Sequence, residues 1–118
     1  MIRGEIWWAN LGIPFGSEPG FNRPVVIIQN DDFNRSNINT IVIIPLTTNL
    51  NLEDAPGNTL IDKVDSSLPK DSVAVVSQLY AIDKQRVRER IAKLSPEIIY
   101  KLEQGILLVL DMKQWKYP

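Results

Sequence analysis

Unbroken β-branched runs dominate the middle of the chain. Val25-Val26-Ile27-Ile28 follows Pro24 and is closed by the polar Gln29-Asn30-Asp31, and Thr40-Ile41-Val42-Ile43-Ile44 leads into Pro45. Successive side chains of a strand point to opposite faces, so a run with no polar interruption marks a strand covered on both sides. These runs predict strands over 24–29 and 40–46, the second stopped by Pro45. Ile2 to Ala9 instead alternates, Arg3 and Glu5 against Ile2 and Ile6, before Trp7-Trp8. It predicts a first strand whose two tryptophans face opposite ways, one into the core and one outward.

Downstream the pattern shortens. Strands are expected at 59–61 and 88–94, and across 72–76 and 78–82 as two strands or one bent one. Between them lie a polar turn at 30–37 with room for one helical turn, loops at 51–58 and 66–71, and a brief helical turn over 84–87 capped by Asp83. Ser95-Pro96-Glu97 then has the residues of a helix start: a capping hydroxyl, a proline whose missing N–H is harmless there, and an acid that the helix dipole favours. Ile98, Leu102, Ile106, Val109 and Leu110 recur at helical spacing, which predicts one apolar face and a helix running to about Asp111. Gly105 inside it implies close packing against a neighbour. The tail, Met112–Pro118, is expected to be frayed or docked by Trp115.

About seven short strands and one helix predict a mainly β fold, a small, strongly bent sheet or partly open barrel capped by the C-terminal helix. The 118 residues suit one domain, 1–118, and 44% hydrophobic residues suffice for a single ordinary core. Composition then narrows the chemistry. With no cysteine there is neither a disulfide nor thiolate chemistry, and with no histidine there is no imidazole for acid–base work and only carboxylates for a zinc site. No apolar run is long enough to span a bilayer and Met1-Ile2-Arg3-Gly4-Glu5 has no signal-peptide character, so a cytoplasmic protein with no membrane contact is expected. The net charge of −1 gives no global attraction for polyanions, so phosphate binding must be local. Lys84 to Lys93 holds five cations against one acid, as a solvated amphipathic segment or as such a local patch.

The candidate chemistry centres on Arg23, which stands at the mouth of the first buried run. An unpaired guanidinium is too costly to bury, so it belongs at a rim, facing a bound anion or serving as a structural ion-pair partner. The loop before it, Asn10 to Asn22, is broken by Gly12, Pro14, Gly16, Pro19 and Gly20 and carries Glu18, the nearest carboxylate in sequence. Thr47 follows the second run. If the two strands are antiparallel, Arg23 and Thr47 meet in space.

Seven blocks now stand out in order between residues 3 and 112: Arg3-Gly4-Glu5-Ile6-Trp7, Gly16-Ser17-Glu18-Pro19-Gly20, Arg23-Pro24 through Asp31, Pro45-Leu46-Thr47, Lys70-Asp71-Ser72-Val73, Ser77-Gln78-Leu79 and Ile82-Asp83-Lys84-Gln85-Arg86-Val87. Together they resemble the MazF/PemK/Kid family of toxin endoribonucleases. The resemblance implies an SH3-like barrel of the CcdB/MazF type, a homodimer, metal-independent and sequence-specific cleavage of single-stranded RNA, no cofactor, and inhibition by a separately encoded antitoxin. It sets the family's key arginine on Arg23, its hydroxyl on Thr47, its loop serine and glutamate on Ser17 and Glu18, and an RNA-contacting position on Gln78. Some branches use a histidine or an aspartate in the site, and here there is no histidine.

The chemistry such a site must perform can be stated from first principles. Attack of a 2′-hydroxyl on the adjacent phosphorus gives a 2′,3′-cyclic phosphate and a free 5′-hydroxyl, and needs charge stabilisation, an in-line substrate and a route for two protons. Arg23 can supply the charge by a bidentate contact and Thr47 can hold a phosphate oxygen or the 2′-hydroxyl, while Glu18 is either the base or the group that orients Arg23. Gln78, Asn34, Asn49, Phe15 and Phe21 are candidates to line an RNA path by stacking and edge hydrogen bonds, each with an alternative role in a turn or the core. The competing functions are a non-catalytic CcdB-like barrel that binds a protein such as gyrase, and an inactive toxin homologue.

Overall fold

The computed structural model describes residues 1–113. The expected role of Trp115 therefore lies outside the described residues. Seven strands form one curled sheet: β1 (Glu5–Asn10), β2 (Asn22–Ile27), β3 (Thr40–Thr47), β4 (Thr59–Ile61), β5 (Ser72–Ala74), β6 (Tyr80–Asp83) and β7 (Val87–Lys93). Three helices join them: α1 (Asp31–Asn34), α2 (Lys63–Ser66) and α3 (Pro96–Val109). Short 3₁₀ turns occupy Leu50–Asp54, Val76–Gln78 and Lys84–Arg86. The sheet order is β4-β5-β3-β2-β1-β7, with β6 paired to β3 off this path. β3 is the spine. Its Ile43 pairs with Ile27 of β2 on one edge and with Tyr80 of β6 on the other, and beyond β6 the same outer edge passes to β5 at Leu46 and Thr47. Two short partners sharing one edge bend the sheet into a half-barrel. The expectation of a mainly β, strongly bent sheet with a C-terminal helix is met.

The unbroken runs of β2 and β3 have a direct structural reason. Val26, Ile28, Ile44 and Leu46 join one buried cluster with Ile6, Leu94 and Leu102, whereas Val25, Ile27, Ile41 and Ile43 join a second with Ala9, Leu11 and Ile82. The expectation of a single core is therefore corrected: the central strands are sandwiched between two. Pro45 also fails to stop its strand. It pairs with Val25, its carbonyl accepts from the Val75 N–H at 3.0 Å, and β3 continues to Thr47, because proline removes only a donor and its φ is compatible with extended backbone. Trp7 packs on the second cluster while Trp8 is partly exposed, as their opposite facing requires. Sequence reading missed α2, where Asp62 accepts from the N–H groups of Val64 and Asp65 at 3.0 Å each and Ser66 is fully buried. Aspartate three residues before another acid is a cap signal hidden inside what reads as a polar stretch.

α3 closes the first cluster. Ser95 Oγ accepts from the Ile98 N–H at 3.3 Å, Pro96 stands in the first turn, and Leu102 is fully buried. Leu110, expected on the apolar face, is instead half exposed, and Ile99 packs in its place. The helix ends there, with Asp111 at φ +53°, so helical periodicity no longer governs where Leu110 points. Gly105 is buried against the loop at Gly57, and a Cβ there would collide with the Gly57 carbonyl oxygen. Gly105→Ala should lower stability by about 1–3 kcal/mol, despite alanine's advantage of up to ~1 kcal/mol in a helix, because the collision is with backbone. Thermal unfolding checks this, and a variant as stable as the wild type would show that the two backbones are free to part.

The Arg3-Gly4-Glu5 block proves to be a latch between sheet and helix. Arg3 donates to the Ile28 carbonyl at 2.9 Å and pairs with Glu103 of α3 at 2.8 Å. Glu5 is 5% exposed and accepts from Arg90, from the Ile2 N–H at 2.7 Å and from Trp7 Nε1 at 3.2 Å. Burial opposes its charge, yet these donors together hold its carboxyl below the usual value of 4.5. A depressed folded pKa means that Glu5 contributes stability above the unfolded value and that the contribution vanishes as pH falls through the folded one. The melting temperature gap between the wild type and Glu5→Gln should therefore be largest near neutral pH and close in the acid range below 4.5. A gap independent of pH would contradict this assignment.

Candidate functional site

β2 and β3 are antiparallel, which meets the condition set for the site. Val25 pairs with Pro45, and carrying that register two residues on sets Arg23 opposite Thr47. Strand alternation puts Arg23 on the face of Val25 and Ile27, and Thr47 on the face of Ile41, Ile43 and Pro45, so both overhang the open end of the second cluster. On its other side Arg23 pairs with Ala9 of β1. The guanidinium is poorly satisfied. Its Nη1 makes one long contact, 3.5 Å, to the Leu46 carbonyl, and its Nε is buried with no partner among the described residues. Buried polar nitrogens rarely go unpaired, and a guanidinium left open in this way can take an anion. Thr47 Oγ1 accepts from the Asn49 N–H at 3.2 Å, which leaves its proton free to donate.

The long loop arches beside this pair and is folded rather than loose. The Leu11 N–H donates to Phe21 O at 2.9 Å and the Phe21 N–H to Gly12 O at 2.6 Å, which zips its base; Glu18 N–H to Phe15 O at 3.1 Å closes its tip. Phe21 takes φ +59°, an uncommon conformation for a side chain of its size, immediately before the strand that carries Arg23. Gln78 Nε2 donates to Ser17 O at 3.1 Å, tying the loop to the turn before β6. Between loop and sheet lies an open cleft of about 450 Å³ walled by Leu11, Ile13, Pro14, Ser17, Glu18, Pro19, Gln78 and Tyr80. Phe15 is 85% exposed at the loop tip.

The sequence-derived candidates thus fall into groups. The β2–β3 register brings Arg23 and Thr47 to adjacent strand ends, and Ser17, Glu18 and Gln78 share a cleft beside the loop. Glu18 forms no ion pair with Arg23; among the described residues the ion pairs are Arg3–Glu103, Arg35–Asp32 and Arg90–Glu5. Asn49 is beside Thr47 but spends its carbonyl capping the turn at Asn51. Asn34 lies in α1, where its amide donates to Gln29 O and Asp31 Oδ1 and its oxygen accepts from Gln29, so its polar atoms hold the turn together. The cationic segment is also largely engaged: Lys84 bonds Asn34 O and Ser36 O, Arg86 bonds Asn10 O at 3.2 Å, Arg90 pairs with Glu5, and Lys93 bonds Arg3 O.

Tyr80 is the residue that sequence reading missed. Burial raises the pKa of its phenol, the charges of Arg86 and Arg23 oppose that rise and Glu18 adds to it, so all three groups act on one ring. A lone aromatic in a short strand reads as core, and its only signal was its position two residues after Gln78.

Residues 2–110 match the family model described as PemK-like, MazF-like toxin of type II toxin–antitoxin system. The chain is 34% identical over 110 residues to endoribonuclease MazF2 of Mycobacterium bovis and, equally, to endoribonuclease MazF6 of Mycobacterium tuberculosis, covering 93% of this chain and 96% of each relative. In three dimensions it is similar to Mycobacterium tuberculosis toxin MazF-mt6 (TM-score 0.78, 19% identity, 93% and 99% of the two chains covered) and to MazF of Deinococcus radiodurans (TM-score 0.77, 18% identity, 93% and 96% covered). A mycobacterial endoribonuclease solved in complex with its cognate antitoxin has the same fold (TM-score 0.74, 18% identity, 97% and 96% covered).

Proposed function

This chain belongs to the PemK-like, MazF-like toxin family of type II toxin–antitoxin systems, and from that membership we propose that it is an endoribonuclease that cleaves single-stranded RNA at a short sequence without a metal. The observation that carries the reading is the Arg23 guanidinium, its Nε buried and without a partner among the described residues, at the strand end next to Thr47, whose hydroxyl oxygen accepts from Asn49. Arg23 binds the scissile phosphate and neutralises the charge that grows on its oxygens, where preorganised donors in a sheltered site act most strongly. Thr47 positions a phosphate oxygen or the attacking 2′-hydroxyl. Glu18, on the cleft wall and in no ion pair among the described residues, takes the proton of that hydroxyl as the P–O2′ bond forms. The P–O5′ bond breaks, leaving a 2′,3′-cyclic phosphate and a 5′-hydroxyl. Ser17, Gln78 and the exposed Phe15 contact the bases, with stacking on Phe15 the sequence-tolerant part.

The active form is a homodimer in the cytoplasm, controlled by an acidic antitoxin that competes with RNA for the site. No helix among the described residues is long and apolar enough to cross a membrane. The test is direct. Purified protein incubated with RNA in EDTA should release fragments bearing 5′-hydroxyl and 2′,3′-cyclic phosphate ends, and sequencing the 5′ ends gives the recognised bases. Intact RNA under those conditions would overturn the reading, and a stabilised gyrase–DNA cleavage complex would replace it with the protein-binding alternative. Sedimentation equilibrium checks the dimer.

A further inference from the structure

We propose that Tyr80 is the general acid of this site, its phenol giving the proton that the departing 5′-oxygen needs. The inference rests on the nuclease reading and adds to it the second proton route. The chain has no histidine, Arg23 is too basic to release a proton readily, and Glu18 is committed to the 2′-hydroxyl. A donor for O5′ must come from elsewhere in the site.

Geometry selects Tyr80. β6 pairs it with Ile43, on the sheet face that ends in Thr47 and that Arg23 also overhangs. Its ring packs on the second cluster, and its side chain walls the cleft together with Ser17, Glu18 and Gln78. No hydrogen bond among the described residues engages the phenol. The residue is half-buried, and its hydroxyl lies close enough to Arg86, Glu18 and Arg23 to feel all three charges. Burial first, and the Glu18 charge next in that direction, keep it protonated at neutral pH, so it is always loaded as a donor. An alkoxide leaving group is far more basic than a phenolate, so the transfer runs downhill. The charges of Arg86 and Arg23, which act on the phenol in the opposite sense, stabilise the phenolate once the proton has left.

The step balances. The 2′-hydroxyl proton goes to Glu18 as O2′ bonds phosphorus, the P–O5′ bond pair goes to O5′, and the Tyr80 proton goes to O5′. Solvent then carries the Glu18 proton to the phenolate, and no external reactant is consumed.

The experiment uses the full chain and two synthetic RNAs of the sequence it cuts, one all-oxygen and one with sulfur in place of the bridging 5′-oxygen. A thiolate leaves without protonation, so it has no need of a general acid. Tyr80→Phe keeps the ring and its packing. It should cut the all-oxygen RNA about 100-fold more slowly than the wild type and the sulfur-bridged RNA at about the wild-type rate, with an unchanged melting temperature. Equal losses on both RNAs, or no loss on either, would overturn the assignment. A wild type that cuts neither RNA would instead remove the nuclease reading, and this inference with it.

Discussion

Arg23→Ala is expected to reduce RNA cleavage by a factor of about 10³ or more, equivalent to about 4 kcal/mol of transition-state stabilisation, while the protein stays folded. The size follows from what the guanidinium lacks. A side chain whose Nε is buried without a partner among the described residues, and whose one hydrogen bond to them is 3.5 Å long, contributes little to the native state, so its removal costs little there. The melting temperature should move by no more than about 5 °C, roughly the shift that accompanies ~1 kcal/mol in a domain of this size. Arg23→Lys should not recover activity. An ammonium supplies a point charge but not the planar fork that grips two phosphoryl oxygens. Single-turnover cleavage rates together with thermal melts decide the matter. Undiminished cleavage by Arg23→Ala would refute its assigned role, and a large drop in melting temperature would mark it as a structural partner.

Leu102→Ala carries the largest expected loss of stability, about 3–4 kcal/mol. Leu102 is fully buried and stands in the cluster that also contains Val26, Ile44 and Leu46, with Ile98, Ile99, Ile106 and Val109 of α3 packed at its edge, so it is the most deeply buried of the side chains by which α3 grips the sheet. Much of that cluster is β-branched side chains, several of them on paired strands, which cannot collapse easily into the space left behind. Against a typical total of 5–15 kcal/mol this is a substantial fraction, and denaturant titration at constant m-value would measure it. A loss below about 1 kcal/mol would mean that the helix is held mainly by the Arg3–Glu103 pair and the Gly105 contact. Because Leu102 belongs to the first cluster and Arg23 overhangs the second, the cleavage rate of the folded fraction should be unaffected.

Much of the architecture was legible because local signals agreed with tertiary placement. The capping serine and Pro96 set the start of α3, Asp83 capped its turn through the Gln85 N–H, and the central runs were strands buried on both faces. Where reading failed, a tertiary contact outweighed the local rule. Pro45 continues its strand because its neighbours ask it only for a carbonyl, and Leu110 points outward because the helix ends beneath it. The first of the seven blocks, Arg3-Gly4-Glu5, turned out to be a latch, since its charges are spent on Glu103, Arg90 and nearby backbone.

The order of apolar runs, breakers and caps determined by itself that this chain is a small bent sheet with a terminal helix, and seven ordered blocks pointed to its family. Periodicity assigns faces along one strand, so it could pair Arg23 with Thr47 once two strands were taken as antiparallel. It carries no information about depth, partners or contacts between distant segments. Only the folded chain decided that the Arg23 Nε is buried without a partner among the described residues, that Glu18 forms no ion pair with it, that Asn34 is spent on a turn, and that Tyr80 shares a cleft with residues some sixty positions away. Those are properties of packing, set by which strands share an edge.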